Sequence, residues 1–162
     1  MREHGSLSED ASCISTQITT DSLDDFAPFE SLGTHADGAV LIFRGRVRET
    51  NEGRKVSSLS YEAYGEMAER ELEDICREAG RRFEAGAVAA AHRVGDLDLG
   101  EVSVVIGVAA PHRDACYAAS RWVIEEIKER LPVWKHEYYE EGSSHWVGSP
   151  ETSTSRSDSR RG

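Results

Sequence analysis

The sequence predicts an α+β domain with helices packed on a mostly antiparallel sheet. Strand-like segments come in adjacent runs rather than in strict alternation with helices, which favours antiparallel pairing. Residues 66–83 and 113–130 each carry apolar side chains at helical spacing along one face. Between them, Val102-Ser103-Val104-Val105-Ile106-Gly107-Val108 is apolar almost throughout, the pattern of a central strand covered on both sides.

Taken in order, residues 12–20 hold β-branched residues at near-alternate spacing and read as an edge strand. Asp21 or Ser22 can N-cap a short helix through about Leu32, with Leu23, Phe26 and Phe29 three apart and Gly33 as its stop. Asp37-Gly38 marks a turn, and Ala39 to Arg48 a strand whose second half alternates. Residues 49–55 form a polar loop, and Val56 to Tyr64 alternates again. The first long helix, 66–83, has one apolar face at 3–4 spacing through Met67, Arg70-Glu71, Leu72, Ile75, Cys76, Ala79 and Phe83. Strands over 87–94 and 102–109 flank a turn at 95–100, and Pro111 breaks the second. The helix 113–130 has Cys116, Val123, Ile124, Ile127 and Leu131 as its buried stripe, and Pro132 ends it. Strands over 133–139 and 145–147 close the domain, which spans 12–148. The acidic segment 1–11 and the Ser/Arg-rich segment 149–162 lack the apolar residues to pack and read as disordered.

Composition excludes several classes of function. The net charge is -11, and residues 1–37 set eight acids against the single base Arg2. Such a chain is a poor ligand for nucleic acid, whose affinity comes largely from neutralised phosphates. No apolar run approaches the roughly 18 residues of a membrane span, and the first ten residues lack the apolar core of a secretory signal. Cys13, Cys76 and Cys116 lie far apart with no CxxC pair, which fits reduced thiols and a cytoplasmic location. No His spacing suits a metal, and GxSxG, GxxxxGKS, GxGxxG and HExxH are all absent, so neither metal nor cofactor is expected.

The candidate chemistry is cationic. Pro111-His112-Arg113 stands where a central strand meets a helix N-terminus, whose free amides and dipole favour an anion; an ordinary surface cap is the simpler reading of the tripeptide. Lys128 lies one turn past Ile124, beside the buried stripe, where partial desolvation would favour its uncharged form; a lysine that snorkels into water is the simpler alternative. Lys135 follows Trp134 on a strand, so the two point to opposite faces. Arg44, Arg46 and Arg48 form a basic comb on one face of a regular strand, opposite Phe43 unless the chain bends at Gly45. His92 reads as a hydrogen-bonded structural histidine. Cys116, in the first turns of the helix after His112, is a conceivable nucleophile but fits the buried stripe better. The sum is a possible anion pocket of Arg48, His112, Arg113, Lys128 and Lys135.

Six stretches, in order over residues 38–148, together resemble the catalytic (large) subunit family of molybdopterin synthase. They are Gly38-Ala39-Val40 with Phe43-Arg44-Gly45-Arg46-Val47-Arg48, Leu59-Ser60-Tyr61-Glu62-Ala63-Tyr64 with Met67-Ala68-Glu69, His92-Arg93-Val94-Gly95 with Gly100-Glu101, Pro111-His112-Arg113, Ile127-Lys128 with Pro132-Val133-Trp134-Lys135, and Trp146-Val147. The resemblance implies an α/β hammerhead fold with an added antiparallel subdomain. It implies a sulfurtransferase that converts cyclic pyranopterin monophosphate to molybdopterin. The sulfur comes from the C-terminal thiocarboxylate of a small ubiquitin-like subunit, and the large subunits form a central homodimer. By position, Lys128 and Lys135 match the family's pocket lysines, Arg48, His112 and Arg113 its substrate-binding residues, and Phe43 a pocket wall. The family pocket is completed by a basic residue of the partner protomer near the C-terminus, whereas this chain has no Arg between Val147 and Arg156. The alternative is a non-catalytic module that binds a ubiquitin-like tail or an anionic metabolite.

Overall fold

The computed structural model describes residues 12–26 and 32–147. Among the described residues, nine strands and two helices run β1 (Cys13–Thr19), β2 (Ala39–Arg46), β3 (Thr50–Asn51), β4 (Arg54–Ala63), α1 (Gly65–Phe83), β5 (Ala87–Arg93), β6 (Gly95–Asp98), β7 (Val102–Ala110), α2 (Arg113–Arg130), β8 (Val133–Tyr139) and β9 (Ser144–Val147). They form two sheets. The first has the order β1-β5-β7-β2, antiparallel except for the β1–β5 pair. The second has the order β3-β4-β8-β9, with β6 also paired to β4.

Strands β5 and β7 are apolar because both faces of the first sheet are covered. On one face Val88, Ala90, Ile106 and Val108 pack against Leu72, Ile75 and Cys76 of α1 and Ala119 and Val123 of α2. On the other, Ala89, Ala91 and Val105 pack against Leu23, which is 1% exposed, and the partly buried Phe26 and Leu32. Alternating small and branched side chains let this sheet accept a layer on each side. Arg130 ties the helices together through Glu71 at 2.7 Å and Glu78 at 2.9 Å on α1, which fixes the last turn of α2 beside the second sheet.

Three expectations change. The polar loop at 49–55 is a tight hairpin, in which Thr50 and Asn51 of β3 pair with Lys55 and Arg54 of β4. Residues 21–26 form a turn, not the start of a helix. The Asp24 carboxylate accepts from the Val102 amide at 2.8 Å, so the segment is pinned flat across the sheet; the rest of that expected helix, at 27–31, lies outside the described residues. The link at 95–100 contains a strand, since Leu97 is buried opposite Leu59 of β4. The alternation of Asp96-Leu97-Asp98-Leu99 spans only four residues between two glycines, so the turn signal of the glycines outweighs it. The expected disorder at 1–11 and 149–162 also lies outside the described residues.

Candidate active site

The two sheets meet at a cleft of about 640 Å³. The ends of β2 and β5, the start of β7 and the last turns of α2 form one side; β4 and β8 form the other. Its lining includes Phe43, Arg48, Tyr61, His92, Lys128 and Lys135. The four expected residues Phe43, Arg48, Lys128 and Lys135 are therefore brought together by three different elements and a loop.

A bulge decides how β2 contributes. The register against β7 shifts between Gly45 and Arg46, so the strict two-residue alternation fails there. A Cβ at position 45 would stand 2.7 Å from the Val104 side chain, so glycine is what lets β2 press against β7 at the bend. The bulge puts Phe43 and Arg48 on the same cleft and divides the basic comb. Arg44 turns away to the Leu23, Asp24 and Phe26 carbonyls, each at 3.4 Å, and Arg46 donates to the Gly100 carbonyl at 2.9 Å. Arg48 is exposed and has no hydrogen bond or ion pair among the described residues. Lys128 likewise is exposed on the rim, not half-buried as its place beside the apolar stripe suggests.

Lys135 differs from Lys128. Its ammonium sits 2.8 Å from the Glu137 carboxylate, two residues on along the same face of β8. Glu137 is 2% exposed and also accepts from the Tyr139 hydroxyl at 2.5 Å and the Asn51 amide at 2.8 Å. Burial alone would raise its pKa and favour the neutral form, but the bonds from Lys135, Tyr139 and Asn51 outweigh this and hold it below the usual carboxylate range. The opposite charges at alternate positions of a strand are the signal that could have singled out Glu137 from sequence.

The floor is less polar. The rings of Tyr61 and His92 meet edge to face, 4.9 Å between centroids, and burial pushes the Tyr61 hydroxyl up and the His92 imidazole down in pKa. Both shifts favour neutral groups beside the cations.

His112 and Arg113 are not in this cleft. His112 precedes the first residue of α2 without a side-chain cap bond, and both residues are exposed. Lys128 is fifteen residues further on, which is about 22 Å along the helix axis. One small anion cannot touch both ends within a single chain, so the five-cation pocket divides into two groups. Cys116 is not a nucleophile in waiting: it is 2% exposed, its thiol donates to the Ala39 and Val108 carbonyls at 3.4 and 3.5 Å, and burial pushes it up in pKa. Among the described residues no cluster of His, Cys, Asp and Glu could hold a metal, and no helix is long and apolar enough to cross a membrane.

A second groove, about 560 Å³, runs from the free edge of β2 along α2. Leu41, Ile42, Tyr117 and Arg121 line it, and it shares Phe43, Ile124 and Lys128 with the cleft. The two are thus continuous, and Lys128 stands at their junction.

The chain is similar to known proteins over most of its length. The family described as MoaE protein matches residues 17–130. The molybdopterin synthase catalytic subunit of Halalkalibacterium halodurans is 46% identical over 118 residues, 73% of this chain and 75% of that protein. The protein of the same name in Pyrococcus abyssi is 42% identical over 116 residues, 72% of this chain and 78% of that one. The crystal structure of molybdopterin synthase from Staphylococcus aureus superimposes with a TM-score of 0.75 at 37% identity, covering 82% of this chain and 96% of that one. A MoaE protein from Burkholderia ambifaria superimposes with a TM-score of 0.64 at 32% identity, covering 84% and 88%. The sequence match spans the helix that carries Lys128 and the strand that carries Arg48's bulge, and the folds agree over most of both chains, so this chain belongs to the MoaE family of molybdopterin synthase catalytic subunits.

Proposed function

We propose that the chain is the sulfur-inserting subunit of a molybdopterin synthase in the cytoplasm. It takes sulfur from the C-terminal thiocarboxylate of a small ubiquitin-like subunit and delivers it to cyclic pyranopterin monophosphate. The observation that carries this reading is the apolar groove that opens into a cation-lined cleft at Lys128. An extended, uncharged peptide tail fits the groove, and an anionic heterocycle fits the cleft; the two meet where sulfur must change hands. Arg48 supplies a planar fork for the phosphate. Lys128 stands beside the reacting carbonyl carbon and sulfur, where an amine can move a proton or attack. Lys135, held by Glu137, supports the substrate from the opposite wall.

His112 and Arg113 serve the cleft of a second copy in this reading, because the length of α2 keeps them from their own. A homodimer then has two clefts, each built from both chains. The test is co-expression of Arg113→Ala with Lys128→Ala chains. Each variant alone should be nearly inactive. Random pairing gives mixed dimers in which one cleft is intact, so activity should return to about a quarter of wild type. Recovery no greater than either variant alone would place Arg113 outside the partner's cleft.

A further inference from the structure

We propose that His92 orients the substrate by accepting a hydrogen bond from a ring N–H or O–H at the floor of the cleft. This rests on the sulfur-transfer reading and concerns the same site. His92 lies at the end of β5, 5% exposed, and lines the cleft with Lys128 and Lys135. Its Nδ1 is 2.8 Å from the Arg93 carbonyl oxygen. A carbonyl only accepts, so Nδ1 carries the proton and donates it. That assignment leaves Nε2 with a bare lone pair. Nε2 has no hydrogen-bond partner among the described residues, yet it is not one of the polar atoms sealed from solvent. The Tyr61 ring packs against the imidazole with 86° between the two planes. Burial favours the neutral ring, so the lone pair persists at neutral pH.

The cleft therefore has two ends of opposite character. The exposed cations Arg48 and Lys128 stand at the rim, where an anionic group can be met by charge. The floor offers an acceptor, which repels a phosphate oxygen and attracts an N–H or O–H donor. A ligand with an anion at one end and ring N–H groups at the other can satisfy both only in one direction. A site built to hydrogen-bond a donor also rejects analogues that lack it, because the buried acceptor is then left unpaired. His92 is a substrate-binding and specificity residue in this account, with no proton to transfer.

The experiment uses the chain reconstituted with its thiocarboxylated small subunit. His92→Phe keeps the ring shape and the contact with Tyr61 but removes the acceptor; His92→Gln restores an acceptor near the Nε2 position. His92→Phe should raise KM for the pyranopterin about tenfold, with kcat and affinity for the small subunit within about twofold of wild type. His92→Gln should recover most of the loss. In wild-type protein labelled with ¹⁵N-histidine, the His92 Nε2 resonance should move when the pyranopterin is added to saturation. A folded His92→Phe with unchanged KM overturns the assignment. If that variant does not fold, an Nε2 resonance that stays in place under saturating pyranopterin overturns it equally. A wild-type pair that binds pyranopterin but forms no dithiolene overturns the sulfur-transfer reading, and this assignment with it.

Discussion

Lys128→Arg should leave molybdopterin formation at least about a hundredfold below wild type, as Lys128→Ala should, because positioned proton transfer contributes about 10²–10⁴ in rate. Both variants should stay folded and bind the small subunit. The residue is exposed on the last turns of α2 and bonded to nothing among the described residues, so neither change disturbs packing. What the two substitutions share is the loss of a compact amine at the junction of groove and cleft. Arginine keeps the charge but cannot give up a proton or attack a carbonyl. Substantial rescue by Lys128→Arg would reduce Lys128 to an electrostatic clamp and make Lys135 the candidate for chemistry.

Glu137→Ala should lower stability by about 3 kcal/mol, the low end for breaking a buried ion pair, and the midpoint by about 6–12 °C. Removing the carboxylate strands three donors at once, on Lys135, Tyr139 and Asn51. The low end applies because the Lys135 side chain keeps 28% exposure. The pH dependence has a definite sign. The folded-state pKa of Glu137 is held below its unfolded value, so its contribution is present above the unfolded pKa and is lost as pH falls through the folded one. Thermal melts from neutral pH into the carboxylate range should therefore converge for wild type and Glu137→Ala as acid protonates the wild-type group. Equal midpoints at neutral pH would show that the cluster contributes nothing.

Much of the fold was legible because local patterns were strong. The bounds of α2 follow from Pro111 and Pro132, and β7 from its apolar run. The parts that failed depend on partners far away in sequence. Asp24 is pinned by the Val102 amide, and β6 exists because Leu97 meets Leu59. The site shows the same division. Arg48, Lys128 and Lys135 were legible as candidate anion ligands from the residues themselves and Phe43 through the family resemblance, and the bulge at Gly45 and Arg46 explains how Phe43 and Arg48 share a cleft despite a spacing of five. His92 and Glu137 escaped because their roles arise from burial and from Nδ1 and carboxylate partners. The separation of Arg113 from Lys128 was within reach: fifteen residues of one helix are about 22 Å whatever packs around it.

Sulfur transfer at Lys128 can be followed in a single reconstitution. The chain is incubated with a small subunit that ends in a glycine thiocarboxylate and with cyclic pyranopterin monophosphate, and dithiolene is measured alongside loss of the thiocarboxylate. Dithiolene should form with two thiocarboxylates consumed per molybdopterin, and neither change should occur with the Lys128→Ala chain. Binding of both partners by the wild-type chain with no dithiolene formed and no thiocarboxylate lost would contradict it and leave a binding module.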